Sequence, residues 1–194
     1  MTSDSWYALK VRPRFELSVA AQLRTRGYPS FVPVYSAKRQ WRDRVKSVEL
    51  PLFAGYVFCQ FDMNSRFPIL TTPGVQFIAG IGRVPEPIAQ DEITSIRTIV
   101  SSGLRYEPSP YLAAGQLVQV EHGVLAGLTG LLTDLQSGSR LITSINLLMC
   151  SVSVELDPAW VKPIDSKHYH LRRDGTQRRR EIRKPEQELT QEVS

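Results

Sequence analysis

The sequence predicts an α+β protein: an N-terminal antiparallel-rich sheet flanked by helices, followed by a small β-barrel. Three observations carry that reading. Strand-like and helix-like segments alternate over residues 1–105, the pattern of a sheet with helices packed on it. The polar stretch Tyr106 to Ala113 holds Pro108 and Pro110 and reads as an inter-domain linker. Residues 114–164 then offer four or five short strand-like runs separated by glycines and polar turns, which suits a five-stranded barrel.

Trp6 to Val11 reads as a strand closed by Pro13. Phe15, Val19 and Leu23 then recur at helical spacing, and Gly27 supplies the stop. Phe31 to Tyr35 is an edge strand, because Pro33 interrupts it. Val48 to Phe61 is an apolar run broken at Pro51. Pro68 starts a short helix, Val75 to Ile81 is a further strand, and a last helix begins near Pro87 with Ile93, Ile96 and Val100 on one face. In the second part the strands are Leu117–Val120, Gly130–Leu135, Leu141–Leu147, Val152–Leu156 and Trp160–Pro163. Residues 165–194 are arginine-rich, then acidic, and too poor in apolar side chains to offset the entropy of ordering. They read as a disordered tail.

Composition narrows the function. The formal net charge is +5 and the sequence pI is about 9.4, compatible with nucleic-acid contact but not diagnostic of it. No apolar run reaches the ~18 residues of a membrane helix, and the polar start Met1 to Asp4 lacks a secretory pattern. Cys59 and Cys150 lie far apart in apolar runs, as buried thiols of a reducing compartment do. The expected location is the cytoplasm. With three histidines, two of them in the tail, no nucleophile is placed beside a base. No metal-ligand spacing or phosphate-binding loop is present either. The expectation is a binding protein, not an enzyme, without metal or cofactor.

Two segments attract attention instead. In Tyr56-Val57-Phe58-Cys59-Gln60-Phe61, alternation sends Tyr56 and Phe58 to one face and Val57, Cys59 and Phe61 to the other. Both faces are apolar. Either the strand is central and covered on both sides, or the second face receives a partner's helix. The run Lys38-Arg39-Gln40-Trp41-Arg42-Asp43-Arg44-Val45-Lys46 holds five basic residues, one acidic residue and a tryptophan. It is either a solvated hairpin tip or a nucleic-acid contact, since an aromatic among arginines suits base stacking beside phosphates. In the barrel, Gly123, Gly127 and Gly130 mark a glycine-rich loop that also holds Val124 and Leu125.

Taken together, these segments resemble the NusG family of transcription elongation factors over residues 5–164. The match runs through Trp6-Tyr7, Pro13 and Glu16, then Pro51-Leu52-Phe53-Ala54-Gly55-Tyr56-Val57-Phe58, then Thr72-Pro73-Gly74-Val75, and into Gly115–Gly130 and Val152–Asp157. The resemblance implies an N-terminal (NGN) domain that binds the clamp helices of RNA polymerase and suppresses pausing or termination. It also implies an SH3-like KOW barrel that recruits partners such as Rho or a ribosomal protein. By motif, the polymerase-binding residues are Phe53, Ala54, Gly55, Tyr56 and Phe58, with Tyr7 and Val75 to Phe77 nearby and Asn64-Ser65-Arg66 reaching the opposite side. The nucleic-acid partner is DNA or RNA of the elongation complex. Met149-Cys150 and Val124-Leu125 depart from the housekeeping pattern. With the basic hairpin and tail, they resemble paralogues that act on chosen operons. The alternative reading is a KOW-type RNA-binding or ribosome-associated protein. Ile142, Thr143, Ile145, Val152 and Val154 are β-branched, which favours a stable barrel.

Overall fold

The computed structural model describes residues 4–41, 44–109, 116–135, 138–145 and 148–164. The tail, the second half of the expected linker and Arg42 lie outside them. The N-terminal domain is built on a four-stranded sheet of order β2-β5-β1-β6, with β1 at Ser5–Val11, β2 at Ser30–Phe31, β5 at Tyr56–Phe61 and β6 at Val75–Ile78. β1 pairs antiparallel with β5 from Ser5↔Phe61 to Lys10↔Tyr56 and with β6 on its other side. The expected edge strand Phe31–Tyr35 is split at Val32-Pro33: β2 stops at Phe31. The chain then turns into a separate ribbon, β3 (Val34–Trp41) and β4 (Arg44–Pro51). The basic run is therefore mostly strand and not a tip, paired as Lys38↔Ser47, Arg39↔Lys46 and Trp41↔Arg44.

Alternation along β1 and β5 sorts their side chains onto two faces. Tyr7, Leu9, Val11, Val57, Cys59 and Phe61 form a core with Val19, Ala20 and Leu23 of α1 (Glu16–Thr25) and Ile69 of α2 (Phe67–Leu70). The opposite face carries Trp6, Ala8 and Phe58 and packs against Ile93, Ile96 and Ile99 of α3 (Gln90–Ser101). The helical stripe centres on Ile99 and leaves Val100 half-buried.

The second domain is an antiparallel sheet of order β14-β10-β11-β12-β13-β9. Its strands are β10 (Gln116–Val120), β11 (Thr129–Leu135), β12 (Gly138–Ile145), β13 (Cys150–Glu155) and β14 (Val161–Pro163). Val118, Val120, Leu125, Leu141, Val152 and Val154 form its core. β9 (Tyr106–Ser109) corrects the expected linker: half of it is a strand paired with β13. The prolines mislead here because Pro108 sits on the sheet's edge, where a missing N–H is harmless. The short pair β7 (Gly80–Ile81) and β8 (Val84–Pro85) completes the strands.

The two domains share one apolar cluster, running from Trp6, Phe53 and Phe58 through α3 to the barrel core. β12 lies against α3. Ile142, Ser151 and Ser153 are buried although their register places them opposite Leu141, Thr143 and Val152, which line the barrel interior.

Burial pushes the Cys59 thiol up to about 12 from its ordinary value near 9. Between those values the unfolded chain loses a proton that the folded chain keeps, so stability falls as pH rises above about 9. The Cys59 contribution is at most about 1.4 kcal/mol per pH unit. Urea midpoints measured from pH 8 to 10.5 are expected to fall less steeply in Cys59→Ala than in the parent chain. In the folded protein Cys59 should resist thiol reagents until denaturant is added.

Candidate functional site

The turn between β4 and β5 is fixed by hydrogen bonds to three other segments. Leu52 N–H donates to the Pro33 carbonyl at 2.8 Å, and Tyr56 N–H closes the turn on the Phe53 carbonyl at 3.1 Å. Gly55 is held from both sides: its N–H donates to Glu16 Oε1 at 2.7 Å, and its carbonyl accepts from Val11 N–H at 2.9 Å. Its φ of +80° favours glycine, while the Lys10 ammonium, 2.8 Å from where a Cβ would stand, could swing aside. Glu16 is 4% exposed at the first turn of α1, where a carboxylate also complements the helix dipole. Helix, turn and strand are thus pinned to one another at Gly55.

That pinning sets the aromatic side chains. Phe53 meets Phe58 edge to face at 5.3 Å, and Phe31 lies 6.2 Å from Phe58. Arg97 of α3 stacks over Trp6 at 4.5 Å and over Phe31 at 5.2 Å. Lys10 stacks over Tyr56 at 4.2 Å, and across β1 it faces Phe77 of β6. Phe53 and Phe58 are buried, Tyr56 is half-buried, and Ala54 is exposed at the turn. Phe77 is 54% exposed at the sheet's edge.

The structure brings Phe53, Gly55, Tyr56 and Phe58 together at the start of β5. Tyr7 is a correction. Odd positions of β1 point the other way, and Tyr7 packs on Phe61 at 4.8 Å in the α1 core, where burial raises its pKa. The residue on the aromatic face is its neighbour Trp6. Val75 also packs on the α1 side, because the register shift at Lys10/Val11 places it out of phase with Phe77. Asn64, Ser65 and Arg66 are exposed at the far end of β5, where Asp62 caps a 3-10 turn by accepting from Asn64 N–H at 3.0 Å. Lys10, Phe31 and Arg97 were missed by the sequence reading. Lys10 is placed by the β1–β5 register and Arg97 by the crossing of α3 over β1, neither of which spacing along the chain encodes.

On the β3–β4 ribbon, positions 35, 37, 39 and 41 and their partners 50, 48, 46 and 44 form one set of alternate residues. The set begins with Tyr35, Leu50, Ala37 and Val48 and ends with Arg39, Lys46, Trp41 and Arg44. Lys38 and Gln40 belong to the other set and are exposed, as is Lys46. In the barrel loop Gly123 and Gly127 take φ of +77° and +90°, and Val124 is 60% exposed. Leu125 is a second correction: at 1% exposure it plugs the barrel and is no loop contact. Gly130 is equally internal, since a Cβ there would stand 2.6 Å from the Ile142 carbonyl. Among the described residues no group of His, Cys, Asp and Glu side chains gathers to hold a metal ion, and no helix is long and apolar enough to cross a membrane.

Residues 4–97 match the family model described as transcription termination factor nusG. Over that stretch the chain is similar to the NusG family. A curated relative, the transcription termination/antitermination protein NusG of Lactococcus lactis subsp. lactis (strain IL1403), is 25% identical over 140 residues, covering 70% of this chain and 75% of that protein. A solved structure concerned with domain interaction in Thermotoga maritima NusG aligns with a TM-score of 0.51 at 17% identity. It covers 84% of this chain and 98% of that one, which is a likeness of fold.

Removing the Glu16 carboxylate leaves the buried Gly55 N–H without a partner. Glu16→Ala is expected to lower stability by about 1–3 kcal/mol in urea unfolding. Glu16→Gln keeps an acceptor and should lose less than Glu16→Ala.

Proposed function

We propose that this chain is a transcription elongation or antitermination factor that works by binding RNA polymerase and performs no chemistry of its own. The observation that carries the reading is the aromatic face of Trp6, Phe31, Phe53, Tyr56 and Phe58 on a rigid sheet. The same apolar cluster takes in α3 and the core of the second domain, which follows after a short connection. Such a face suits an amphipathic helical element, and in this family's setting that element is the polymerase clamp helices. Docking there requires the barrel to leave. The closed arrangement then keeps a sticky surface hidden until polymerase competes for it.

The ribbon supports a secondary role. Its outer half carries Arg39, Lys46, Trp41 and Arg44 at alternate paired positions, a layout suited to phosphates with a stacking base between them. We assign it the DNA or RNA of the elongation complex. The departures at Met149-Cys150 and Val124-Leu125 favour action at selected operons over general coupling to Rho or a ribosomal protein.

Because Phe58 is wholly buried, truncating it would cost about 3–5 kcal/mol of core packing and confuse folding with binding. Ala54→Arg combined with Tyr56→Ala changes only the exposed and half-buried parts of the face. Capture of polymerase by this double variant is expected to fall at least tenfold while its unfolding midpoint stays near the parent's. Undiminished capture sinks the assignment, and recovery of ribosomal RNA without polymerase favours the KOW-type RNA-binding alternative. Separately, Arg39→Glu with Lys46→Glu should weaken nucleic-acid binding and flatten its salt dependence. An unchanged slope returns the ribbon to a solvated surface.

A further inference from the structure

The connection between the domains has two unlike parts. Ser102 to Arg105 bridges α3 and β9. Ser102 Oγ donates to the Ile99 carbonyl at 2.7 Å and accepts from Leu104 N–H at 3.1 Å. Gly103 follows at φ +74° with open space around it. From Tyr106 onward the chain is a strand of the barrel sheet, in register from Val154↔Tyr106 to Ser151↔Ser109. Glu155 N–H extends the ladder to the Arg105 carbonyl at 3.2 Å.

Charge reinforces the ladder. Arg140 on β12 is 15% exposed and reaches across β13 to the Glu107 carboxylate of β9, while its other terminal nitrogen bonds Glu155 at 3.1 Å. The bond to Glu107 is the largest cause of the raised Arg140 pKa. Toward the N-terminal domain β9 gives one hydrogen bond among the described residues, from the Tyr106 hydroxyl to the Val34 carbonyl at 2.7 Å, beside the packing of the Tyr106 ring. A four-pair ladder with an ion pair outweighs one hydrogen bond of about 1 kcal/mol.

We propose that β9 is a permanent sixth strand of the barrel, held by the Arg140–Glu107 pair, and that the domains separate about a hinge confined to Ser102–Arg105. Four residues span about 15 Å at full extension, against about 50 Å if β9 also detached and the chain ran free from Ser102 to Gly115. The barrel is therefore a short-leashed module. Whatever it recognises must sit beside the C-terminal end of α3, not at an arbitrary distance. The inference rests on the polymerase reading only for what triggers release; where β9 belongs is a property of the free chain.

Hydrogen exchange on the full chain tests it. Ile142 is buried on the barrel's outer side, in the strand β12 that lies against α3, so Ile142→Asp should drive the domains apart without entering the barrel core. The expected result is faster exchange at Ser102–Arg105 and around Phe53–Tyr56, with β9 as protected as β13. In Glu107→Gln, β9 exchange should rise about tenfold while β10 and β11 stay unchanged. Loss of β9 protection on opening, an Ile142→Asp chain that stays closed, or no response to Glu107→Gln would each overturn the proposal. Adding RNA polymerase to the parent chain should reproduce the opened pattern. If polymerase changes nothing while both variants behave as stated, the polymerase reading fails and the hinge stands.

Discussion

β5 has apolar side chains on both of its faces, and that constraint shapes everything else. A strand of this kind must be covered twice, because leaving either row in water forfeits about 25 cal/mol per Å² of apolar area. α1 and α2 cover Val57, Cys59 and Phe61. The other row, extended by Phe53, Trp6 and Phe31, is wider than α3. α3 sets its isoleucine stripe against Trp6 and Phe58 and lays Arg97 over Trp6 and Phe31. The barrel core joins the same apolar cluster, with β12 against α3, so the helix that covers one domain's sheet is also what the second domain packs on.

The strands on which this depends were legible from the residues. Period-two alternation in Tyr56 to Phe61 assigned each side chain to the face it occupies, and the helical spacing of Val19, Leu23, Ile93 and Ile96 located the covers. The failures have local physical causes. Tyr7 and Trp6 are adjacent, so a motif fixed the dipeptide but only the register with β5 decides which ring faces outward. Val75 and Phe77 should share a face by period two; a register shift in β1–β6 separates them. Leu125 sits among turn glycines, and nothing local says that the loop folds its side chain inward. β9 was hidden by Pro108, which a sheet edge tolerates.

The same contrast explains why the site was half visible. Aromatic residues on β5 announce themselves by pattern. Their geometry is imposed by Glu16, 39 residues earlier in sequence, through the Gly55 N–H, and by Lys10 stacked on Tyr56. Those partners are set by tertiary structure, and spacing along the chain does not encode them.

A short leash also changes what the closed state must supply. A barrel tethered within about 15 Å of its docking face experiences an effective concentration in the millimolar range or above. An interface of modest intrinsic affinity then suffices to keep the aromatic face covered most of the time. The face pays for this in apparent affinity: a partner that needs the open form binds more weakly by the fraction of molecules that are open. Strengthening the closed state and weakening the partner are therefore one quantity, tuned at the barrel–α3 contact and not at the aromatic rings. Substitutions such as those near Ile142 shift the balance without touching the docking surface. Variation there changes how readily the protein engages while leaving what it engages unchanged.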